Sequence, residues 1–277
     1  DASTFGLTAK IGNKYYSTLD EAFAVATEDQ TIVLLADATP VLTSQRAITK
    51  AAVIDLGGKT LTLTEDDLYF GTTTFKNGNI IVDPSVNAST AVFWMFENQT
   101  LTFDNVNITA TGVTGTYLIG INGGTGSAVN LLNNSSIIID NESQAELTAV
   151  ICDNGTGNNV IIKDSYINVN KIEGRFYLGG TSGNITVDNT DIDLNGVNEG
   201  FYLRANQTLS IGEDTTIDVV LNETEGRYGI NFTDVNYTYT VAETATVNAT
   251  VYEPVAIAQI GTIKYPTLQG AIDAVKD

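Results

Sequence analysis

Histidine is absent from the 277-residue chain, and cysteine occurs only once. Zinc sites of the usual kind take their ligands from several His and Cys residues, and the usual hydrolytic triads use His as their base, so both are excluded. Cys152 has no disulfide partner within the chain, and its flanking sequences AVI and DNG predict a partly buried, unreactive thiol. We expect no catalytic residues, no metal centre and no cofactor, with weak calcium binding by an acidic surface as the one exception.

Positive charge is also scarce, because 13 Lys and Arg residues stand against 33 Asp and Glu residues, for a formal net charge of −20. Phosphate binding needs clustered Lys and Arg, so this balance argues against nucleic acid as a partner. No apolar run approaches the roughly 18 residues that a membrane-spanning helix needs, so we expect no direct membrane insertion. The chain begins DASTFGLTAK without a signal peptide, as a mature or excised fragment would.

Asparagine and threonine are abundant, and thirteen Asn residues stand in Asn-x-Ser/Thr sequons. About five sequons would be expected by chance from this composition, so the excess predicts an N-glycosylated extracellular or cell-surface protein. The alternative is that Asn and Thr both favour the turns and exposed strands of a solenoid, which raises the count without any glycan. The sequon residues are Asn87, Asn98, Asn107, Asn133, Asn134, Asn141, Asn154, Asn184, Asn206, Asn222, Asn231, Asn236 and Asn248.

A long repeat joins the two ends of the chain. IGNKYYSTLDEAFAVA (11–26) and IGTIKYPTLQGAIDAV (260–275) share Ile, Gly, Tyr, Thr, Leu and Ala in register, 249 residues apart. Each copy predicts a short strand followed by an amphipathic helix, and Thr18 with Glu21 predicts a capping box at the start of the first helix, over 17–27. We therefore predict a main domain over 1–252, and a segment over 253–277 that opens a next repeat or forms an inter-subunit joint.

A short repeat fills the sequence between these copies. Alternating apolar and polar residues recur in LTFDNVNIT (101–109), VIIKDSYINV (160–169), ITVDNTDIDL (185–194) and LSIGEDTTIDV (209–219), and corresponding positions along the chain advance by about 24 to 31 residues from one repeat to the next. An all-β, right-handed, single-stranded parallel β-helix accounts for this spacing, with about three strands per rung and about eight rungs. The helix over 17–27 would cap its N-terminal end. A β-sandwich is the alternative, but it predicts hairpin turns every 8–12 residues.

Three segments near the N-terminus carry a family resemblance. YYSTLDEAFAVATEDQTIVLLAD (15–37), AAVIDLGGKTLTL (51–63) and FKNGNIIVD (75–83) resemble the opening of pectin-lyase-like β-helix domains. Such domains occur in large, often tandem-repeat surface proteins of bacteria and archaea, many of them described as adhesin-like. The resemblance is specific over 10–83 and is only a generic rung pattern beyond. It implies a β-helix on a cell surface, and fold alone does not assign a function.

Glu-Gly pairs at 173, 199 and 225 are spaced by 26 residues, and three of the four arginines lie beside them. The constant interval, taken as one turn of the solenoid, puts the Glu residues in one column. If each stretch is a strand, alternation turns Phe176 and Leu178 toward the core and turns Tyr and Arg outward. This surface is a glycan-binding face, with rings stacking on sugars and Arg pairing with acidic groups, or an ionic ladder in which Arg neutralises stacked Glu. A third alternative is that the Glu residues supply the paired carboxylates of a glycosidase. The candidate residues are Glu173, Glu199, Glu225, Arg175, Arg204, Arg227, Tyr177 and Tyr202.

These observations favour a non-catalytic structural or adhesive module of an extracellular glycoprotein, which assembles head to tail with neighbouring copies or tandem repeats and contacts surface glycans. A carbohydrate-binding module is one alternative. A polysaccharide lyase or hydrolase acting on acidic glycans is another, because Asn189-Thr190-Asp191 matches part of a polygalacturonase motif. That enzyme motif also needs a Gly-His-Gly segment, and the chain has no histidine.

Overall fold

The computed structural model describes residues 6–42, 48, 50–223 and 225–275, and it is a parallel β-solenoid of about eight turns. Each regular turn contributes three strands, two to a 17-stranded sheet that we call sheet A and one to an eight-stranded sheet that we call sheet B. This arrangement confirms the predicted all-β parallel β-helix. Within the described residues there are two helices, and no helix is both long and apolar enough to cross a membrane.

The strands are short, and the two helices lie near the two ends of the chain. In chain order the elements are β1 (Ala9–Ile11), β2 (Lys14–Tyr16), α1 (Leu19–Val25), β3 (Thr31–Leu34), β4 (Val53–Asp55), β5 (Thr60–Leu63), β6 (Leu68–Tyr69), β7 (Thr73–Val82), β8 (Asn87–Met95), β9 (Thr100–Thr109), β10 (Thr114–Ile121), β11 (Ala128–Leu132), β12 (Ser136–Ala145), β13 (Leu147–Asp153), β14 (Asn159–Lys163), β15 (Tyr166–Ile172), β16 (Arg175–Leu178), β17 (Asn184–Asp188), β18 (Asp191–Val197), β19 (Glu199–Leu203), β20 (Thr208–Ile211), β21 (Thr216–Leu221), β22 (Ile230–Phe232), β23 (Thr238–Val241), β24 (Thr246–Asn248), β25 (Val251–Tyr252), β26 (Ala258–Ile260), β27 (Ile263–Tyr265) and α2 (Leu268–Ala274).

The stacking of turns is clearest in the second half of the solenoid. Strands β14, β17, β20 and β23 pair in parallel, as do β15, β18, β21 and β24, while β16, β19, β22 and β25 continue sheet B. In-register pairs put side chains of one kind above each other, so Ile167, Ile192 and Ile217 form one buried column. The three-strand rung predicted from the sequence is therefore confirmed.

The corner between the two strands that each turn gives to sheet A uses the left-handed backbone conformation. Asn77, Asn105, Asp164, Asn189 and Asp214 all have φ between 45° and 58° there. Asn and Asp tolerate this conformation better than other residues with a side chain, because their short polar groups bond locally. Their side chains also link successive turns, as where the Asn189 amide donates to Asp164 Oδ1 at 2.7 Å. The corners thus account for part of the Asn and Asp content.

Helix α1 covers the N-terminal end of the solenoid. Thr18 caps it by accepting a hydrogen bond from the Glu21 amide at 3.3 Å, and the Glu21 carboxylate accepts one from the Ser17 amide at 3.1 Å. The predicted capping box is therefore confirmed, shifted by one residue on its return bond. The buried face of the helix is Leu19, Ala22 and Phe23. It removes from water the apolar residues that the first turn would otherwise expose.

The long repeat is also present in the structure. Hairpin β1–β2 pairs Ala9 with Tyr16, and hairpin β26–β27 pairs Ala258 with Tyr265 in the same antiparallel register. Thr267 caps helix α2 by accepting from the Gly270 amide at 3.0 Å, at the position that corresponds to Thr18. The segment that opens the chain therefore folds again at its other end as a hairpin followed by a short helix.

Buried polar side chains lie at the corner where the chain passes from sheet B to sheet A. The Asn158 side chain accepts from the Ser127 amide at 2.9 Å and donates to the Gly124 carbonyl at 3.1 Å, which links two turns. Asp153 lies beside it, 1% exposed, and its Oδ1 accepts from Asn158 Nδ2 and from the Gly155 amide, each at 2.8 Å. Its Oδ2 has no hydrogen-bond partner among the described residues. Burial therefore raises the pKa of Asp153.

We predict that D153N stabilises the protein at neutral pH by about 1 kcal/mol, because an amide keeps both bonds to Oδ1 without a buried charge. A raised pKa in the folded state means that the contribution of Asp153 to stability is fully present below the unfolded value near 4 and is lost as pH rises through the folded pKa. The advantage of D153N should therefore shrink from pH 7 to pH 4. Urea unfolding at both pH values measures it.

The control is D193N, at an exposed position of β18, which should leave the free energy of unfolding unchanged at both pH values. A D153N variant less stable than the parent at pH 7 would contradict this account of the corner.

Candidate functional site

The outer surface of sheet B carries most of the candidate residues, but its strands do not alternate strictly. Phe176 and Tyr177 are consecutive, and both are about 1% exposed in the main core. Leu178 instead packs outside the main core, with Cys152 and Tyr202. The prediction that Tyr177 lies on the outer face and Leu178 on the inner face is therefore wrong. Two adjacent buried side chains break the period of two that strict alternation predicts.

The predicted Glu column is also wrong. Arg175 pairs with Glu199 in the next turn, and Phe201 pairs with Ile230 in the turn after that. The number of residues between paired positions therefore changes from turn to turn, whereas the Glu-Gly pairs are separated by a constant number. Glu199 lies within β19 and is 5% exposed, whereas Glu173 and Glu225 are exposed and precede their strands. The structure therefore does not stack these three carboxylates.

A compact polar cluster replaces the predicted ladder. Arg175 Nε lies 2.5 Å from Glu199 Oε2, and its guanidinium lies 4.7 Å from the centre of the Tyr202 ring. Asn231 Nδ2 donates to the other carboxylate oxygen, Glu199 Oε1, at 2.7 Å. Both oxygens of the nearly buried carboxylate therefore have partners, and the Arg175 guanidinium already has a carboxylate and a ring. This supports the ionic-ladder interpretation for one of the three arginines.

The other two arginines are arranged differently. Arg227 lies 3.8 Å from the exposed carboxylate of Glu223, an (i, i+4) pair that contributes little. Arg204 is exposed at the end of β19, and its charge lowers the raised pKa values of Asp153 and Cys152. The structure therefore brings Arg175, Glu199 and Tyr202 together, and leaves Arg204 and Arg227 at the margin of that cluster.

Cys152 lies beneath this surface. It is fully buried, next to Leu178 and Tyr202, rather than partly buried as the sequence predicts. Burial raises the pKa of the Cys152 thiol to about 11, so almost none of it is thiolate at neutral pH. The prediction of an unreactive thiol agrees with this environment.

An aromatic group that the sequence analysis did not single out lies toward the N-terminal end of sheet B. Trp94 pairs in register with Gly120, and its six-membered ring would lie 3.0 Å from a Cβ at position 120, so the indole rests on the glycine backbone. Phe96 is 43% exposed and contacts the rings of Tyr69 and Trp94 edge to face. We call Trp94, Phe96 and Tyr69 the aromatic platform. The sequence offers one signal for this platform, which is the single Trp of the chain followed one turn later by a glycine.

A polar groove of about 930 Å³ lies at the corner where each turn enters sheet B. Glu146 and Glu173 both line it, and so do Asp140 and Glu142, all of them exposed. Its acidic lining opposes the binding of an acidic glycan there. Within the described residues, no three His, Cys, Asp or Glu side chains are grouped to hold a metal ion.

The sequon residues differ in accessibility. Ten of the thirteen are exposed, Asn231 and Asn236 are half-buried, and Asn141 is 6% exposed. Asn141 accepts from the Gly112 amide at 2.8 Å and donates to the Lys171 carbonyl at 3.3 Å, so its amide is used within the fold. The accessible sequons are Asn87, Asn98, Asn107, Asn133, Asn134, Asn154, Asn184, Asn206, Asn222 and Asn248.

We predict that R175A lowers the free energy of unfolding by about 1–3 kcal/mol, because it leaves the nearly buried Glu199 carboxylate with one donor. The matched change R227A, at an arginine whose pair with the exposed Glu223 contributes little, should alter it by less than about 0.5 kcal/mol. Urea denaturation measures both. Equal stability of R175A and the parent would refute a structural role for the Arg175–Glu199 pair.

Comparison with known proteins adds no assignment: the chain matches no protein-family model, and no curated protein or solved structure shows significant similarity to it. The β-solenoid is what the structure shows. Membership of the pectin-lyase-like surface domains stays a prediction.

Proposed function

We propose that the chain is a non-catalytic structural module of an extracellular array, in which β-solenoids of this kind follow one another end to end. The observation that carries the proposal is the recurrence of the N-terminal hairpin and helix at the other end of the same solenoid, with identical strand register and the same Thr cap. A module that ends with the fold that begins it has the form of a repeat.

The geometry of the solenoid supports an array. Its two ends are different surfaces, so contact between the end of one unit and the start of another is heterologous and does not close on itself. Such contacts build rods rather than rings of fixed size. A coil whose strands are hydrogen-bonded to both neighbouring turns is also stiff, which suits a stalk or fibre on a cell surface.

Two further features support an extracellular location. Ten sequon Asn residues are exposed, where a glycosyltransferase reaches them, and four sequon residues, Asn98, Asn133, Asn134 and Asn206, have positive φ. The resemblance to tandem-repeat, adhesin-like surface proteins of bacteria and archaea points the same way.

The enzymatic alternative receives less support. Glu173, Glu199 and Glu225 are not brought together, and both oxygens of Glu199 are engaged by Arg175 and Asn231. Within the polygalacturonase-like triplet, Thr190 is buried, and the preceding Asp188 forms an ion pair with Lys163 at 2.9 Å. Glu199 and Asp188 therefore serve the solenoid, and we do not propose a lyase or hydrolase activity.

The test uses the organism that makes the protein. Antibodies raised against the folded chain should label intact cells, and on a gel they should detect a polypeptide at least twice the 29.5 kDa of this unit. Enzymatic removal of N-glycans should reduce its apparent mass. Labelling only after permeabilisation, or a single-unit polypeptide, would contradict the proposal.

A second candidate function, glycan binding, is favoured by the aromatic platform. The indole of Trp94 lies against Gly120 and is half-buried, and the exposed ring of Phe96 stands beside it. Flat aromatic faces stack on the apolar faces of sugar rings. With a net charge of −20 and Arg175 already paired, a neutral glycan fits this surface better than the acidic one expected from the sequence.

Trp94 is the one tryptophan of the chain, so its fluorescence reports directly on this candidate. We predict that titration with a neutral oligosaccharide such as cellohexaose changes the emission in a saturable way, and that polygalacturonate does not. In G120A the indole is displaced from the backbone, so the response should fall severalfold. An unchanged spectrum with both ligands would argue against glycan binding at the platform.

A further inference from the structure

The two copies of the repeated segment differ in what covers them. Strand β1 pairs with β2 on one edge and with β3 on the other, where Ala9 lies opposite Leu34 and Ile11 opposite Ile32. Strand β26 pairs with β27 alone, because these two strands form a sheet of their own among the described residues. The edge of β26 that corresponds to the β3-paired edge of β1 is therefore open, and an open strand edge is a template for another strand.

The helices show the same contrast. Leu19, Phe23 and Ala26 are 2%, 4% and 6% exposed against the first turn of the solenoid. Their counterparts in the C-terminal copy are equally apolar but uncovered, since Leu268, Ile272 and Val275 are 60%, 43% and 70% exposed. We call Leu268, Ile272 and Val275 the stripe of α2; it is an apolar surface that is exposed, whereas its counterpart on α1 is buried.

The opposite edge of the C-terminal hairpin is already occupied. Asn236, in the last turn of the solenoid, donates from Nδ2 to the Lys264 carbonyl at 3.0 Å and accepts from the Lys264 amide at 2.9 Å. The Lys264 ammonium also lies 6.0 Å from the centre of the Tyr237 ring. The hairpin is thus attached through β27 to the solenoid that precedes it. The other edge of β26 and the stripe of α2 remain exposed among the described residues.

We propose that β26 and α2 form the N-terminal cap of a following β-solenoid, and that the free edge of β26 takes the first strand of that solenoid in antiparallel pairing. This deepens the proposed function and rests on it. The partner strand has the chemistry of β3, with a buried, alternating Ile and Leu, and its register places Ala258 opposite the residue that corresponds to Leu34. Strand addition supplies main-chain hydrogen bonds, and the stripe of α2 supplies apolar burial.

The partner is a solenoid that follows in the chain rather than the N-terminal end of a second, separate copy. In a separate copy, that end already carries its own hairpin β1–β2 and its own helix α1, which occupy the place that β26 and α2 would take. Docking between separate copies would have to displace them. The same hairpin would then join two units, held to the first by Asn236 and to the second by β26.

A two-unit chain tests this joint: residues 1–275 followed directly by residues 27–252 of a second copy. Residues 258–275 occur once in it, so their peptides are unambiguous in hydrogen exchange. We expect amides in 258–260 to exchange about 100-fold or more slowly than in the single-unit chain, because they join a longer sheet. Exchange at equal rates in the two chains would overturn the proposal.

Substitutions on α2 provide the matched comparison. Ile272 corresponds to the buried Phe23, whereas Ala274 corresponds to Val25, which is 50% exposed even where α1 is docked. In the two-unit chain, I272D should lower the melting temperature of the second solenoid by roughly 5 °C or more, and A274D should not. In the single-unit chain neither substitution should matter. Equal effects of both substitutions in the two-unit chain would refute docking through this stripe.

Two outcomes separate this inference from the proposed function. An elongated two-unit chain by small-angle scattering, with fast exchange at 258–260 and no effect of I272D, would overturn the inference and leave an array of solenoids standing. Failure of the cell-surface test would remove the proposed function whatever the joint does. The single-unit chain should sediment as a monomer, and concentration-dependent oligomers lost in I272D would show that the partner is a separate copy, contrary to the proposal.

Discussion

Hydrogen bonding between the parallel strands of successive turns is the constraint on which the rest of this structure depends. Every strand within the coil is satisfied by the turns on either side, so only the first and last turns have a free side. At the N-terminal end, β1 and α1 cover that side, and Leu19 and Phe23 are buried as a result. At the other end the same elements recur, but among the described residues the second edge of β26 is unpaired and the apolar stripe of α2 is exposed. The ends, rather than the wall of the coil, therefore carry the strongest functional signal.

The same stacking explains the composition. A corner that recurs in every turn places Asn or Asp in the left-handed conformation again and again, as at Asn77, Asn105 and Asn189. In-register pairing repeats one kind of side chain along the coil, so apolar columns run inside and Thr, Asn and Asp columns outside. Few Lys and Arg residues occur in this exterior, and the net charge of −20 is distributed over it. Where a carboxylate is nearly buried, as at Glu199, specific donors compensate for it.

Much of the fold could be predicted from the sequence, because period and repetition are properties of single positions. The three-strand rung, the capping box at Thr18 and the long repeat between the two ends all follow from such patterns. The site could not be predicted in the same way. Phe176 and Tyr177 are adjacent and both lie in the core, against strict alternation, and Glu199 leaves the predicted column because the interval between paired residues changes from turn to turn. Trp94 depends on Gly120 of the next turn, a pairing known only once the register is known.

The central claim is that residues 258–275 are the cap of a following solenoid, already folded and attached to the unit before it. The most direct measurement is an experimental structure of the two-unit chain. The account predicts that β26 pairs antiparallel with Thr31–Leu34 of the second unit, with Ala258 opposite Leu34, and that Leu268 and Ile272 become buried. A second unit whose first turn lies apart from β26, with the stripe of α2 still in solvent, would contradict it.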